Sequence, residues 1–142
     1  MERLVERLVV DASIAVAWVH PGQAAPATDA LLARIGEGTQ VVVPALWPLE
    51  MANVLLVLER RRKLRADERA TALAALRELS CTVDHELSAL AFTHLSQLAS
   101  DLSLSVYDAA YLELALRLNV PLACKDGALR EAAKKRGVAV LP

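Results

Sequence analysis

Four acidic residues stand where chemistry is possible: Asp11, Glu50, Asp108 and Asp126. Asp11 closes the apolar run Leu8-Val9-Val10, and Glu50 follows Trp47-Pro48-Leu49. Asp108 comes three residues after Ser105, and Asp126 follows Leu122-Ala123-Cys124-Lys125. Each sits among apolar neighbours, where an unpaired charge is costly. Singly, each has a structural explanation: a helix cap for Asp11, a dipole partner for Glu50, a capping box for Asp108, a turn for Asp126. As a set they point to a shared task. Acids that end strands or open buried helices fall along one edge of a parallel sheet, the edge where open α/β folds bind ligands. Gathered there, they raise one another's proton affinity unless a cation neutralises them.

An all-oxygen site, with Ser13 and Asn53 adding neutral oxygens, suits Mg²⁺ or Mn²⁺. Such ions serve phosphoester hydrolysis: they polarise the phosphate, ease deprotonation of bound water and stabilise the leaving oxygen. The expected scheme has Asp11, Asp108 and Glu50 on the principal ion. Asp126 assists a second ion or orients the attacking water.

The elements that must position these acids are short apolar strands alternating with amphipathic helices. The first strand is Leu8-Val9-Val10, and Ser13 is placed to cap a helix over residues 14–19, broken by His20-Pro21-Gly22. A second helix is expected over 27–35, with Leu31, Leu32 and Ile35 inward, and a second strand over 41–43. Pro48 suits the first turn of the third helix, which sets Glu50 near its start and Asn53 one turn on, on the same face. A helix over 67–79, a weak strand at 82–84 and a helix over 87–98 with Leu90, Phe92, Leu95 and Leu98 in the core come next.

Ser105 then caps a helix that is apolar on nearly every side through Leu118, ended by Asn119 and Pro121. Residues 121–124 form a buried strand. A helix over 128–136, stopped by Gly137, and a strand over 138–141 complete a doubly wound α/β sheet in one domain spanning 1–142.

The 142 residues carry a net charge of −1, so no global positive field draws the chain to nucleic acid, and contact would need a local patch. Aromatics are scarce, which argues against a base-stacking platform. The composition is 55% hydrophobic, as expected of a sheet covered on both faces and of an apolar interface with a partner. Cys81 and Cys124 lack metal-ligand spacing and read as reduced, buried thiols. Residues 8–19 mimic the core of a signal peptide, but Asp11 interrupts them and Glu2 and Glu6 precede them. The expected location is the cytoplasm, with no membrane segment.

Val9-Val10-Asp11-Ala12-Ser13, Glu50 with Asn53, Ser105-Val106-Tyr107-Asp108-Ala109 and Leu122-Ala123-Cys124-Lys125-Asp126 together resemble the PIN-domain ribonucleases. The likeness is closest to the toxins of VapBC toxin–antitoxin pairs, and it runs in order along essentially the whole chain. It implies a metal-dependent endoribonuclease with a mostly parallel sheet in the order 3-2-1-4-5 and helices on both faces. Asp11, Glu50, Asp108 and Asp126 would match the acidic quartet that holds one or two Mg²⁺ or Mn²⁺ ions, and Ser13 the usual Ser or Thr. The substrate would be a structured RNA such as tRNA or rRNA. The partners would be a second copy, in a homodimer, and a small antitoxin whose tail covers the acids. Cys124-Lys125 departs from the pattern, which more often has Thr and an apolar residue there.

Arg60, Arg61, Arg62, Lys63 and Arg65 form the one dense basic run. It reads either as a solvated helix end or as an arm that contacts RNA phosphates. Trp18 and Trp47 read as core or interface residues. The rival class is a non-catalytic PIN-like or receiver-like α/β module acting through protein contacts. A receiver needs paired acids after the first strand and an acceptor Asp after the third; Asp11 stands alone, and Asp84 is a poor match. A dehalogenase-like phosphatase needs an acid where Ser13 stands. No Gly-rich phosphate loop is present.

Overall fold

The computed structural model describes residues 5–142; Glu2 lies outside them. Five strands form one sheet: β1 (Arg7–Val10), β2 (Gln40–Pro44), β3 (Cys81–Asp84), β4 (Leu122–Ala123) and β5 (Val140–Leu141). Their order is β3-β2-β1-β4-β5, and every pairing is parallel. Val9 stands opposite Val42 on one side and Leu122 on the other. The central strands are buried on both faces, so they read as continuous Val and Leu runs rather than alternating ones.

The helices are α1 (Ala12–Val19), α2 (Pro26–Gly36), α3 (Leu46–Arg60), α4 (Ala66–Glu78), α5 (Leu87–Leu90), α6 (Ser96–Leu102), α7 (Val106–Leu118) and α8 (Gly127–Lys135). Parallel crossovers are right-handed. Stepping from β1 to β2 to β3 therefore puts α1–α4 on one face, and the return through β4 to β5 puts α5–α8 on the other. The packing agrees: α1 lies against α2 and α3, α3 against α4, and α7 against α6 and α8.

Helix α7 is the spine of its layer. Residues 109–115 are all buried against β1, β2 and β4. Leu112 and Leu114 are fully enclosed, and burial of each is worth about 2 kcal/mol. Ser105 caps the helix by accepting from the Asp108 N–H at 3.0 Å. Asn119 ends it in the left-handed region at φ 55°.

Several expectations are corrected. The cap of α1 is Asp11 rather than Ser13, because β1 stops at Val10 and the helix begins at once at Ala12. The expected helix over 87–98 is broken. A π-helical segment, Ala91–Leu95, lies between α5 and α6, with Thr93 off helical geometry at φ −125° and ψ −105°. That break throws Phe92 out to 98% exposure, so it is no core residue, whereas Leu95 and Leu98 are buried. Leu32 and Val106 are exposed as well. Cys124 is buried but Cys81 only half so; both are free, and burial raises the thiol of Cys81 to about 11 and that of Cys124 to about 12. Trp47 is buried, and Trp18 donates to the Thr28 carbonyl at 2.7 Å.

Glu113 is an unforeseen charge in the core, 3% exposed. Arg117, one turn on, donates to it at 2.6 and 3.0 Å and also grips both oxygens of Asp84 at 2.8 and 2.9 Å. These bonds hold the Asp84 carboxyl below its ordinary range. Asp84 is thus a strut between β3 and α7, committed to a cation and unsuited to accept a phosphoryl group.

Candidate metal centre

Because all five strands are parallel, the acids that follow them share one edge. Asp11 leaves β1, Asp126 follows β4 and caps α8, and Asp108 lies in the first turn of α7. Glu50 is the fifth residue of α3, two positions deeper than Asp108 is in its own helix.

Three of the four carboxylates are oriented by a hydrogen-bonding neighbour. Asp11 Oδ1 accepts from the Ser13 hydroxyl at 2.6 Å and from the Ile14 N–H at 3.3 Å. Asp126 Oδ2 accepts from the Leu129 N–H at 2.8 Å. Glu50 Oε1 accepts from the Tyr111 hydroxyl at 2.8 Å. Among the described residues, the second oxygen of each of these acids accepts no hydrogen bond, and Asp108 has the Ser105 hydroxyl beside it, which opposes the rise in its proton affinity. Capping and ligation are therefore compatible here, since each cap takes one oxygen and leaves the other.

Ser13 joins two distant parts of the chain. Its hydroxyl donates to Asp11 and accepts from the Lys125 backbone N–H at 3.0 Å, while the Asp11 N–H donates to the Ala123 carbonyl at 3.1 Å. The β1–α1 and β4–α8 junctions are locked together at the acids. The Lys125 departure leaves this link intact, because the backbone makes it.

Burial and mutual repulsion both act on the acids. Burial, opposed by the Ser13 bond and reinforced by Asp108, raises Asp11 from 3.8 to about 6. Glu50 is raised by burial and by Asp108, and Asp108 by burial and by Asp126. The charges thus reach one another in a chain from Glu50 through Asp108 to Asp126, with Asp11 coupled to Asp108.

The described residues contain no group of three His, Cys, Asp or Glu side chains already drawn in close enough to hold a metal ion. The acids share an edge and feel one another's charge. The donor set still fits a hard divalent cation: it is all oxygen, it has free carboxylate oxygens, and its repulsion is the kind a cation offsets. Ser13 would act through Asp11. Asn53 is exposed one turn beyond Glu50, with no side-chain hydrogen bond among the described residues.

The basic run lies apart from the acids. Arg60 ends α3, ten residues from Glu50, or about 15 Å along the helix at 1.5 Å per residue. Arg65 precedes α4 and pairs with Asp67. Arg61, Arg62 and Lys63 are exposed in the turn between.

Tyr111 is the site residue that sequence reasoning passed over. The only signal was a hydroxyl in a helical run otherwise made of Ala, Leu and Glu, one turn after Asp108.

A family model described as the PIN domain matches residues 8–135. No curated protein sequence matches the chain. Among solved structures, PAE2754 from Pyrobaculum aerophilum is similar at 23% identity and a TM-score of 0.66, over 96% of this chain and 89% of that one. VapBC2 from Rickettsia felis, bound to a DNA fragment from its promoter, is similar at 9% identity and a TM-score of 0.67, over 94% and 96% of the two chains. VapC20 from Mycobacterium tuberculosis, described as a sarcin-ricin loop cleaving toxin, is similar at 20% identity and a TM-score of 0.62, over 88% and 94%. At these identities the likeness is one of fold.

Proposed function

The chain belongs to the PIN-domain family, and from that premise we propose that it is a metal-dependent endoribonuclease, the toxin of a toxin–antitoxin pair. The observation that carries this reading is the shared edge of Asp11, Glu50, Asp108 and Asp126, with oxygens left free and charges that raise one another. A fold could cap its helices with Asn or Ser and avoid that repulsion. Four acids along one edge make sense when a cation offsets them.

In this reading Asp11, Glu50 and Asp108 hold Mg²⁺ or Mn²⁺, and Asp126 assists a second ion or orients the attacking water. A bound ion would polarise the scissile phosphate and ease deprotonation of water near pH 7. The chain's own part is orientation: Ser13 fixes Oδ1 of Asp11, the α8 N-terminus fixes Asp126, and Tyr111 fixes Glu50. The acids repel RNA, and the basic run from Arg60 to Arg65 offers phosphate contacts several nucleotides from the cut.

By analogy with the sarcin-ricin loop named for VapC20, the substrate is a structured RNA such as rRNA or tRNA. The partner is a small antitoxin, as the paired name of the Rickettsia complex suggests, and the toxin is a cytoplasmic homodimer. Exposed apolar side chains support protein contacts: Leu49 and Tyr107 beside the acids, and Phe92 on the π segment. No helix among the described residues is long and apolar enough to cross a membrane.

The test is cleavage of end-labelled RNA by purified protein in Mg²⁺ or Mn²⁺, in chelator, and by D11N and D108N. The expected result is cuts bearing 5′-phosphates, absent in chelator and in both variants. Cutting that persists in chelator, or undiminished in the variants, would refute the assignment.

A further inference from the structure

We propose that Tyr111 is a positioning residue: its buried hydroxyl pins Oε1 of Glu50, so that Oε2 is the oxygen this side chain offers a divalent cation. The inference rests on the metal reading above and deepens it.

Tyr111 is 2% exposed, within a stretch of α7 otherwise filled by Ala and Leu apart from the paired Glu113. Packing alone would be served by another apolar residue. Burying a phenolic hydroxyl without a partner is costly, so its placement calls for an acceptor. The acceptor is Glu50 at 2.8 Å, on a helix from the opposite layer and 61 residues earlier. Among the described residues it is the one hydrogen bond between side chains of α3 and α7.

The hydroxyl also lies in the field of the other acids. Its proton is held more tightly than a free phenol's, through burial first and then the charges of Glu50, Asp11 and Asp108. Tyr111 stands one turn beyond Asp108 on the same side of α7, so one helix presents an acid and anchors its partner from α3. A free Glu side chain has large rotamer freedom. Fixing it beforehand removes that freedom from the cost of ligation, as outer-shell hydrogen bonds do at metal centres.

The test is Mn²⁺ binding by titration calorimetry to the purified, RNA-free protein, in a double-mutant cycle of Y111F and E50A. Y111F keeps the ring and its packing. It should weaken Mn²⁺ binding roughly tenfold, the usual scale for losing an outer-shell partner. E50A, which removes the acceptor as well as the ligand, should weaken binding too, and Y111F in the E50A background should add nothing. An unchanged dissociation constant in Y111F, with wild type binding normally, overturns the inference alone. So does an equal loss from Y111F in both backgrounds, which would mean that Tyr111 acts through the fold. A wild-type protein that takes up no Mn²⁺ overturns the metal reading underneath.

Discussion

Replacing Asp11 with Asn should make the protein inactive and, at neutral pH, more stable. Asp11 is buried, and its proton affinity is raised from 3.8 to about 6. That displacement corresponds to about 3 kcal/mol between the two protonation states. Below pH 3.8 the carboxyl is protonated in the folded and unfolded chains alike, and the favourable contribution of the neutral form is fully present. As pH rises through about 6 the folded protein must carry the buried charge, and that contribution is lost.

The D11N amide keeps the shape of the carboxylate, and its Oδ1 can still accept from Ser13 and Ile14. Urea unfolding in chelator should therefore show D11N and wild type close together at pH 4. At pH 8 the variant should be more stable by about 3 kcal/mol, or roughly 10 °C in melting temperature for a chain of this size. Saturating Mg²⁺ should narrow the gap, because the ion stabilises only the chain that binds it. A variant less stable at pH 8, or a difference that does not change with pH, would refute the claim that Asp11 is held at the cost of stability.

R117L leaves Glu113 buried without its cation and should cost about 3 kcal/mol in urea unfolding, with the double variant E113L/R117L recovering most of it. A neutral R117L would show that Glu113 finds another partner. Neutralising Arg60, Arg61 and Arg62 together should lower RNA affinity and flatten its dependence on salt, and an unchanged slope would leave the run as a solvated helix end.

How much of this was legible in the sequence depends on how far apart the interacting residues lie. Helix α7 was readable because its signals are local: Ser105 caps it, and Asn119 accepts the left-handed backbone that ends it. The central strands were readable because burial on both faces demands unbroken apolar runs. Phe92 misled because counting along a helix assumes 3.6 residues per turn, and the π segment around Thr93 breaks the count. Ser13 and Asp11 are both good caps, and only the abrupt end of β1 decides between them. The bond from Tyr111 to Glu50 spans 61 residues and left no local trace. The acids were visible as a set, but the strand order that puts them on one edge came from the family resemblance rather than from periodicity.

The tie from Ser13 to Lys125 crosses 112 residues, and the middle strand gains its β4 neighbour only after most of the chain exists. A nascent polypeptide that ends before residue 105 holds two of the four acids and lacks both Tyr111 and the amide that steadies Ser13. Translation, which proceeds from the N-terminus, therefore brings the four acids to one edge only after β4 and Asp126 have left the ribosome. On the toxin reading, no shorter nascent segment could cut.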